Sequence, residues 1–283
     1  MSERTMARLA SLGTITSRQN ARVMDLVKLN DRKHRKTSGC FRFDGVKLTQ
    51  EAMRTGLPIR MLFLKSSEAE RRLRELCDQG QELPDETEIL LLEDSLFDRI
   101  SEENAPEGVI CVCPHLPLHR VSPDCALTDL KARIVALESV RDPSNLGAII
   151  RSAAAFDTDV LLISEDCADI YNAKTVRASM GTLFSQKIVR VPNLPDAIAQ
   201  LRAQGRRVFA AALDRGAMQL GSFAKQRGDC VVIGNEGHGL SQQTISACDA
   251  CVYIPMGERA ESLNAAVAAS ILMWEFCEER HAK

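Results

Sequence analysis

The sequence predicts an α/β protein of two domains, and three observations carry that reading. A chain of 283 residues is too long for one small module and fits two domains of ordinary size. Short apolar segments alternate with helical patterns from end to end, the mark of sheets covered by helices. The stretch PHLPLHRVSPDCALTD at 114–129 has three prolines, no long apolar run and no clean period. The expected division is a domain at 1–113, a linker at 114–131 and a domain at 132–283.

In the first half, Asn20–Asn30 reads as a short helix with Val23, Leu26 and Val27 on one side. The run DRKHRK at 31–36 reads as a basic loop or helix end, and Cys40–Phe43 as a short strand. Gly45–Thr55 is a helix ended by Gly56, Ile59–Leu64 a buried strand, and Glu68–Asp78 a charged helix. Ile89–Leu92, Asp94–Ile100 and Val109–Val112 follow as strand, helix and strand, completing a small three-layer unit. The second half opens on the continuous apolar strand Ile134–Leu137, then a loop and a helix at Ala148–Phe156. Strands are expected at Val160–Ile163, Val208–Leu213, Cys230–Gly234 and Cys251–Ile254. Helices are expected at Lys174–Met180, Asp196–Gln204 and from Ser262 to Glu278. Short apolar strands between helices predict a parallel sheet covered on both faces.

Composition narrows the class. Hydrophobic residues make up 45% and charged residues 26%, as in soluble globular proteins. No apolar run reaches the ~18 residues a membrane helix needs. The first residues carry charges where a signal peptide needs an apolar stretch, so the ten cysteines are expected as reduced thiols in a cytosol. The net charge of −2 conceals an asymmetry: residues 1–60 hold 13 Lys and Arg against 5 Asp and Glu. A basic amino-terminal segment fits a polyanion partner or a solvated helix face, and charge alone leaves both open.

Three loops follow strands of the second half, where open α/β sheets bind ligands. The first is Glu138–Gly147, with Asn145 as a candidate helix N-cap and Arg151 on the following helix. Arg151 near a helix start fits a phosphate site or an ion pair with Asp157. The second, Val231–Ser241, holds three glycines in six residues and fits neither the dinucleotide fingerprint nor a Walker loop. Glu236 there is either a ligand group or a partner for the turn's own amides. The third is Ile254–Asn264, where Ser262 is a candidate N-cap for a helix rich in small residues. The lone pair Cys248 and Cys251, and His115 and His119 in the linker, lack the second pair a zinc site needs, so no metal is expected. Cys111 and Cys113 read as core. Phe41 and Phe43 either stack on bases or are buried.

Taken together, the loops resemble the motifs of the SpoU-type RNA 2′-O-ribose methyltransferases of the SPOUT superfamily. Asn145-Leu146-Gly147-Ala148-Ile149-Ile150-Arg151 matches the first motif, and Ile233-Gly234-Asn235-Glu236-Gly237-His238-Gly239-Leu240 the second. Ile254-Pro255-Met256 with Glu261-Ser262-Leu263-Asn264 matches the third, in the family's order and near its spacing over residues 134–280. Lys174–Gly181 resembles the segment between motifs one and two. Phe43-Asp44-Gly45 and Glu107–Ile110 more weakly resemble a ribosomal-protein-like substrate-binding domain. Ala265–Ala268 replaces the family's frequent Val-Ser-Val-Ala, and Asp44 its commoner Glu; neither is a catalytic position.

The resemblance implies a carboxy-terminal SPOUT domain with a parallel sheet and a deep trefoil knot, which topology rules alone would disfavour. It implies S-adenosylmethionine as cofactor, held by Leu213, Gly234, Gly237, Ile254, Met256, Ser262, Leu263 and Asn264. It implies a homodimer through that domain, and RNA as substrate, ribosomal RNA ahead of transfer RNA. Arg151, Asn145, Glu236, Ser262 and Asn264 are the implied catalytic set. Because arginine stays protonated, Arg151 is read as stabilising the developing alkoxide and clamping a phosphate. Asn145 would position the ribose, Glu236 would orient Arg151 or polar groups near the cofactor, and Ser262 and Asn264 would take the cofactor's polar end. RNA capture is expected from Arg32, Lys33, Arg35 and Lys36, with Lys174 and Arg177. The competing readings are a catalytically inactive RNA-binding protein of the same fold and a nucleotide-dependent oxidoreductase. The missing G-x-G-x-x-G argues against the latter.

Overall fold

The computed structural model describes residues 3–78, 81–117, 132–214, 216–257 and 262–276. They form two compact units: Met1–Leu116 with Tyr171–Phe184, and Pro117–Ile170 with Ser185–Lys283. The segment Tyr171–Phe184, expected with the second domain, therefore folds with the first. Most of the expected linker lies outside the described residues.

The first unit is built on a five-stranded mixed sheet. Its strands are β1 (Thr14–Ile15), β2 (Cys40–Asp44), β3 (Met61–Lys65), β4 (Glu88–Leu92) and β5 (Val109–Pro114), in the order β1-β4-β3-β5-β2. β4 runs parallel to β1 and β3, whereas β5 is antiparallel to β3 and β2. One face buries Phe63, Leu92 and Ile110 against Val23 and Leu26 of the helix Ala21–Lys28 and Phe97 of the helix Asp94–Ile100. The basic run is a helix, Arg32–Ser38, rather than a loop. Asp31 accepts a hydrogen bond from Lys33 N at 2.8 Å to start it, and Gly39 at φ 64° ends it. β2 is buried along its whole length. Its Arg42 and Asp44 pair at 2.7 Å, and Arg42 also donates to Ile100 O, while Asp44 accepts from Ser101 Oγ and Glu102 N. Buried charges persist only when matched in this way.

Phe41 and Phe43, which alternate with Arg42 along β2, are buried on the opposite face, with ring centroids 4.6 Å from Tyr171 and 5.2 Å from Phe184 respectively. That burial removes them as base-stacking surfaces. The segment 171–184 is seated by further contacts: Leu116 N donates to the Tyr171 hydroxyl at 2.8 Å, and His115 stacks on the Tyr171 ring. At Gly181, with φ 87°, an added Cβ would meet Glu51 Cβ at 2.8 Å, so only glycine fits this approach.

The second unit is built on a seven-stranded sheet, parallel at every neighbouring pair. It comprises β6 (Ile134–Leu137), β7 (Val160–Ser164), β8 (Lys187–Val191), β9 (Val208–Ala211), β10 (Met218–Gln219), β11 (Cys230–Ile233) and β12 (Ala250–Tyr253). The order is β10-β12-β9-β11-β6-β7-β8. β6 and β11 are buried at all four positions, as their unbroken apolar runs require. β8 and β10, the helices Glu3–Ala10 and Gln242–Ala247, and β1 carry no clear sequence signal. β8 begins on Lys187 and breaks its apolar run at Arg190, whose guanidinium is held by carbonyls of the loop after β7.

Two caps differ from expectation. The helix after β6 runs Pro143–Ala155, with Asp142 as the cap accepting from Asn145 N at 2.8 Å, and Pro143 in the first turn. This frees the Asn145 side chain. The last described helix is Ala265–Phe276, and Asn264 Oδ1, not Ser262, accepts from Ala266 N at 2.9 Å and Val267 N at 3.3 Å. Its Ser270 hydroxyl meets that of Ser152 on the helix after β6 at 2.7 Å.

Candidate active site

In the second unit the carboxyl ends of β9, β11 and β12 open into a cavity of about 390 Å³. Ala211–Leu213 form one wall, Ile233–Glu236 a second, and Tyr253, Ile254 and Met256 a third, with Ser262 and Leu263, just before the last helix, and its first residue Ala265 closing it. Leu213 is 74% exposed and Met256 39%, unusual for large apolar side chains, and both stand at this cavity. The glycine loop lies flat because it must: a Cβ on Gly234 would overlap the Gly239 carbonyl and come within 2.6 Å of Leu240 N. Asn235 holds the turn, accepting from Gly237 N at 2.8 Å and His238 N at 3.2 Å while its amide donates to Ser139 O at 2.8 Å.

The three loops meet through their polar residues. Asn264 Nδ2 donates to Asn145 Oδ1 at 3.0 Å, and Asn145 Nδ2 donates to Glu236 Oε1. One hydrogen-bonded chain thus joins residues 119 and 91 positions apart in sequence. The partner of Glu236 is therefore Asn145 rather than Arg151. Arg151 lies exposed on the helix Pro143–Ala155 and has no hydrogen bond or ion pair among the described residues, so it is not spent on Asp157. It sits in the third turn of that helix. The helix dipole does not favour an anion there, since its effect fades beyond the first turn.

Of the residues expected to hold the cofactor, Leu213, Gly234, Ile254, Met256, Ser262 and Leu263 line the cavity; Gly237 and Asn264 lie outside its lining. Residues 258–261, including Glu261 of the third motif, fall outside the described residues. Sequence reasoning missed Ala211, Ala212, His238, Ile245, Tyr253 and Leu272 as lining residues. The strand-end rule could have found the first two and Tyr253, but the inner side of two helices carries no local mark.

Beside the cavity, Ser139 holds φ 57° between β6 and the first motif. Its hydroxyl donates to Asp166 at 2.5 Å, joined there by Ser164 Oγ and Arg141. Burial alone would raise the Asp166 carboxyl, but these donors outweigh it and hold it at about 2. Burial pushes the thiols of Cys111, Cys230 and Cys248 up to about 12, so they are inert core residues. The eight cysteines among the described residues are unpaired, and no described cluster of His, Cys, Asp and Glu could hold a metal ion. No described helix is long and apolar enough to cross a membrane.

The expected RNA contacts divide. Arg32, Lys33 and Lys36 are exposed. Arg35 is not available: it is 4% exposed and donates to Leu29 O at 2.7 Å and Asn30 O at 2.8 Å, closing the turn before its helix. Lys174 is exposed, and Arg177 donates to Glu102 O at 3.2 Å.

A parallel α/β sheet with a ligand cavity at its carboxyl edge, apolar walls for a flat ring and a polar chain at one end, fits a nucleoside-type cofactor such as S-adenosylmethionine. The comparisons with known proteins agree. Residues 132–274 match the SpoU rRNA Methylase family, and residues 20–111 the MRM3-like substrate binding domain. The 23S rRNA (guanosine(2553)-2′-O)-methyltransferase RlmP of Bacillus subtilis is 31% identical over 92% of this chain and 97% of its own length. The 23S rRNA (uridine(2479)-2′-O)-methyltransferase of Streptomyces viridochromogenes is 33% identical over 94% and 92%. The crystal structure of the SpoU methyltransferase AviRb from that organism, in complex with AdoMet, superposes with TM-score 0.79 at 30% identity, covering 93% of this chain and 99% of that one. The chain belongs to the SpoU rRNA methylase family: it is an S-adenosylmethionine-dependent RNA 2′-O-ribose methyltransferase.

Proposed function

We propose that the substrate is ribosomal RNA and that the two units divide the work. Exposed Arg32, Lys33 and Lys36 of the first unit, with Lys174 and Arg177, hold RNA phosphates, while the second unit carries out the transfer. The relatives that act on 23S ribosomal RNA, matched over nearly the whole chain, support ribosomal over transfer RNA. Work on ribosomal RNA would place the enzyme in the cytoplasm.

The observation that carries the site reading is the Asn264–Asn145–Glu236 chain, with Arg151 six residues after Asn145 on the same helix and unpaired among the described residues. S-adenosylmethionine supplies the methyl group, and its sulfur keeps the pair of the broken C–S bond as the new C–O bond forms. Leu213, Ile254, Met256 and Leu263 would hold the adenine, with the backbone of Gly234–Glu236 available to its polar edge. Glu236 fixes the Asn145 amide, so that Asn145 aims at the ribose. Arg151 stabilises the oxygen as it loses its proton and clamps the neighbouring phosphate; a phosphate oxygen or water accepts the proton. Ser262 would take the polar end of the cofactor, and Asn264 would order the loop around it by capping the last helix and holding Asn145. The deep knot and the homodimer implied by the resemblance belong to the same proposal. Val267 and Trp274, seven residues apart on one helix and 48% and 46% exposed, support an apolar subunit contact.

The test is transfer of labelled methyl to RNA from a strain lacking the gene, with ribosomal and transfer RNA offered separately. A 2′-O-methyl nucleoside recovered from ribosomal RNA alone is the expected result. Labelled transfer RNA would reassign the substrate, and tight cofactor binding without transfer to either would favour an inactive RNA-binding protein.

A further inference from the structure

We propose that Glu138, outside the three motifs and not among the cavity-lining residues, is the positioning residue that holds the cofactor-binding loop in its bound shape. This rests on the reading of the 390 Å³ cavity as the S-adenosylmethionine site.

Glu138 is the first residue after β6, and its own N–H donates to Ile233 O at the end of β11 at 2.8 Å. Its carboxylate then reaches across to the far end of the glycine loop. Oε2 accepts from Ser241 N at 2.8 Å, and Oε1 accepts from Ser241 Oγ at 2.8 Å and Thr244 Oγ1 at 2.6 Å. The two anchored residues are bracketed by cavity walls. Leu240 immediately precedes Ser241, Ile245 immediately follows Thr244, and both line the cavity. The loop is therefore fixed twice, at Ile233 by the Glu138 backbone and at Ser241 by its side chain. Between those points lie Gly234, Asn235 and Glu236, whose positions shape the cavity and the bond to Asn145.

The chemistry needs a carboxylate. All three groups facing it donate, and both oxygens of a carboxylate accept. A glutamine in the same place can keep the Ser241 N–H only by turning its amide nitrogen to the two hydroxyls, which must then accept, and the charge assistance of all three bonds is lost whichever way it flips. Aspartate keeps both acceptors but is one methylene too short to reach all three. The loop has no slack to absorb the change, because the Gly234–Gly239 approach already excludes a Cβ.

Glu138→Gln and Glu138→Asp are to be compared with wild type by calorimetric titration with S-adenosylmethionine. Filter binding to deproteinised 23S ribosomal RNA and thermal melting complete the set. A wild type that does not bind the cofactor would overturn the reading of the cavity itself, independently of Glu138. Given wild-type binding, Glu138→Gln is expected to raise the cofactor Kd about tenfold, as for loss of a charge-assisted hydrogen bond, with RNA affinity within twofold. Thr244→Val is expected to weaken cofactor binding in the wild-type background and to cost less in the Glu138→Gln background. A folded Glu138→Gln protein with unchanged cofactor Kd, equal losses for cofactor and RNA, or additive effects with Thr244→Val would each overturn the proposal. If Glu138→Gln does not fold, Glu138→Asp carries the same comparison with the same outcomes.

Discussion

The two units solve opposite problems with the same materials. In the first, conspicuous residues turn inward: Phe41, Phe43, Arg35 and Arg42 are all buried, and the exposed cations Arg32, Lys33 and Lys36 are left on a short helix. In the second, core and site separate along the strands. β6 and β11 are wholly buried, and the polar residues Glu138, Asn145, Asn235 and Glu236 lie just beyond their ends. A parallel sheet sends all its carboxyl ends to one edge, so residues far apart in sequence gather there. A mixed sheet has no such common edge, and its ligand surface must be built from exposed charge instead. Precise chemistry is therefore expected to depend on the second unit and salt-dependent capture on the first.

Gly234→Ala should give the largest break in that division. The added Cβ must displace backbone at Gly239 and Leu240, so cofactor Kd is expected to rise at least about tenfold, with RNA affinity retained. Calorimetry beside filter binding measures both; loss of both together would show that the units do not act separately. The converse change is the triple substitution of Arg32, Lys33 and Lys36 by Gln. It should weaken RNA binding and flatten the dependence of log K on log salt by about 2 to 3, leaving cofactor affinity unchanged. Arg35→Gln sharpens the point, since it should lower the Tm and leave the salt slope alone.

The smallest expected effect is one of pH. The Asp166 carboxyl lies below its ordinary value, so its stabilising bonds are complete at neutral pH and are lost as pH falls from about 4 through about 2. Asp166→Asn should lower the Tm slightly at pH 7, and the difference from wild type should shrink as the pH is taken down. A gap that widens with acid would reverse the assignment.

Much of the second unit is legible in the sequence because unbroken apolar strands such as Ile134–Leu137 and punctuating glycines follow directly from burial and turn geometry. β8 is not: its Lys187 and Arg190 break the apolar run, and only carbonyls brought from the loop after β7 explain the arginine. The caps are ambiguous in the sequence for a related reason. Asp142, Asn145, Ser262 and Asn264 are all good cap residues, and which ones serve depends on Asn145 being needed elsewhere, by Glu236 and Asn264. The ordered motifs point to Leu213, Gly234, Ile254, Met256, Ser262 and Leu263, which meet at the cavity, but not to who bonds to whom. The sequence also carries no mark that Arg35 differs from its neighbours Lys33 and Lys36; its burial depends on the carbonyls of Leu29 and Asn30 turning towards it.

The central claim is that Arg151, without a partner among the described residues, acts on the reacting ribose. Single-turnover methyl transfer with cofactor and RNA both saturating, wild type against Arg151→Ala, tests it most directly. The rate of 2′-O-methyl nucleoside formation should fall by about a hundredfold or more, with cofactor Kd within twofold. An undiminished rate would contradict the account and return Arg151 to the solvated surface.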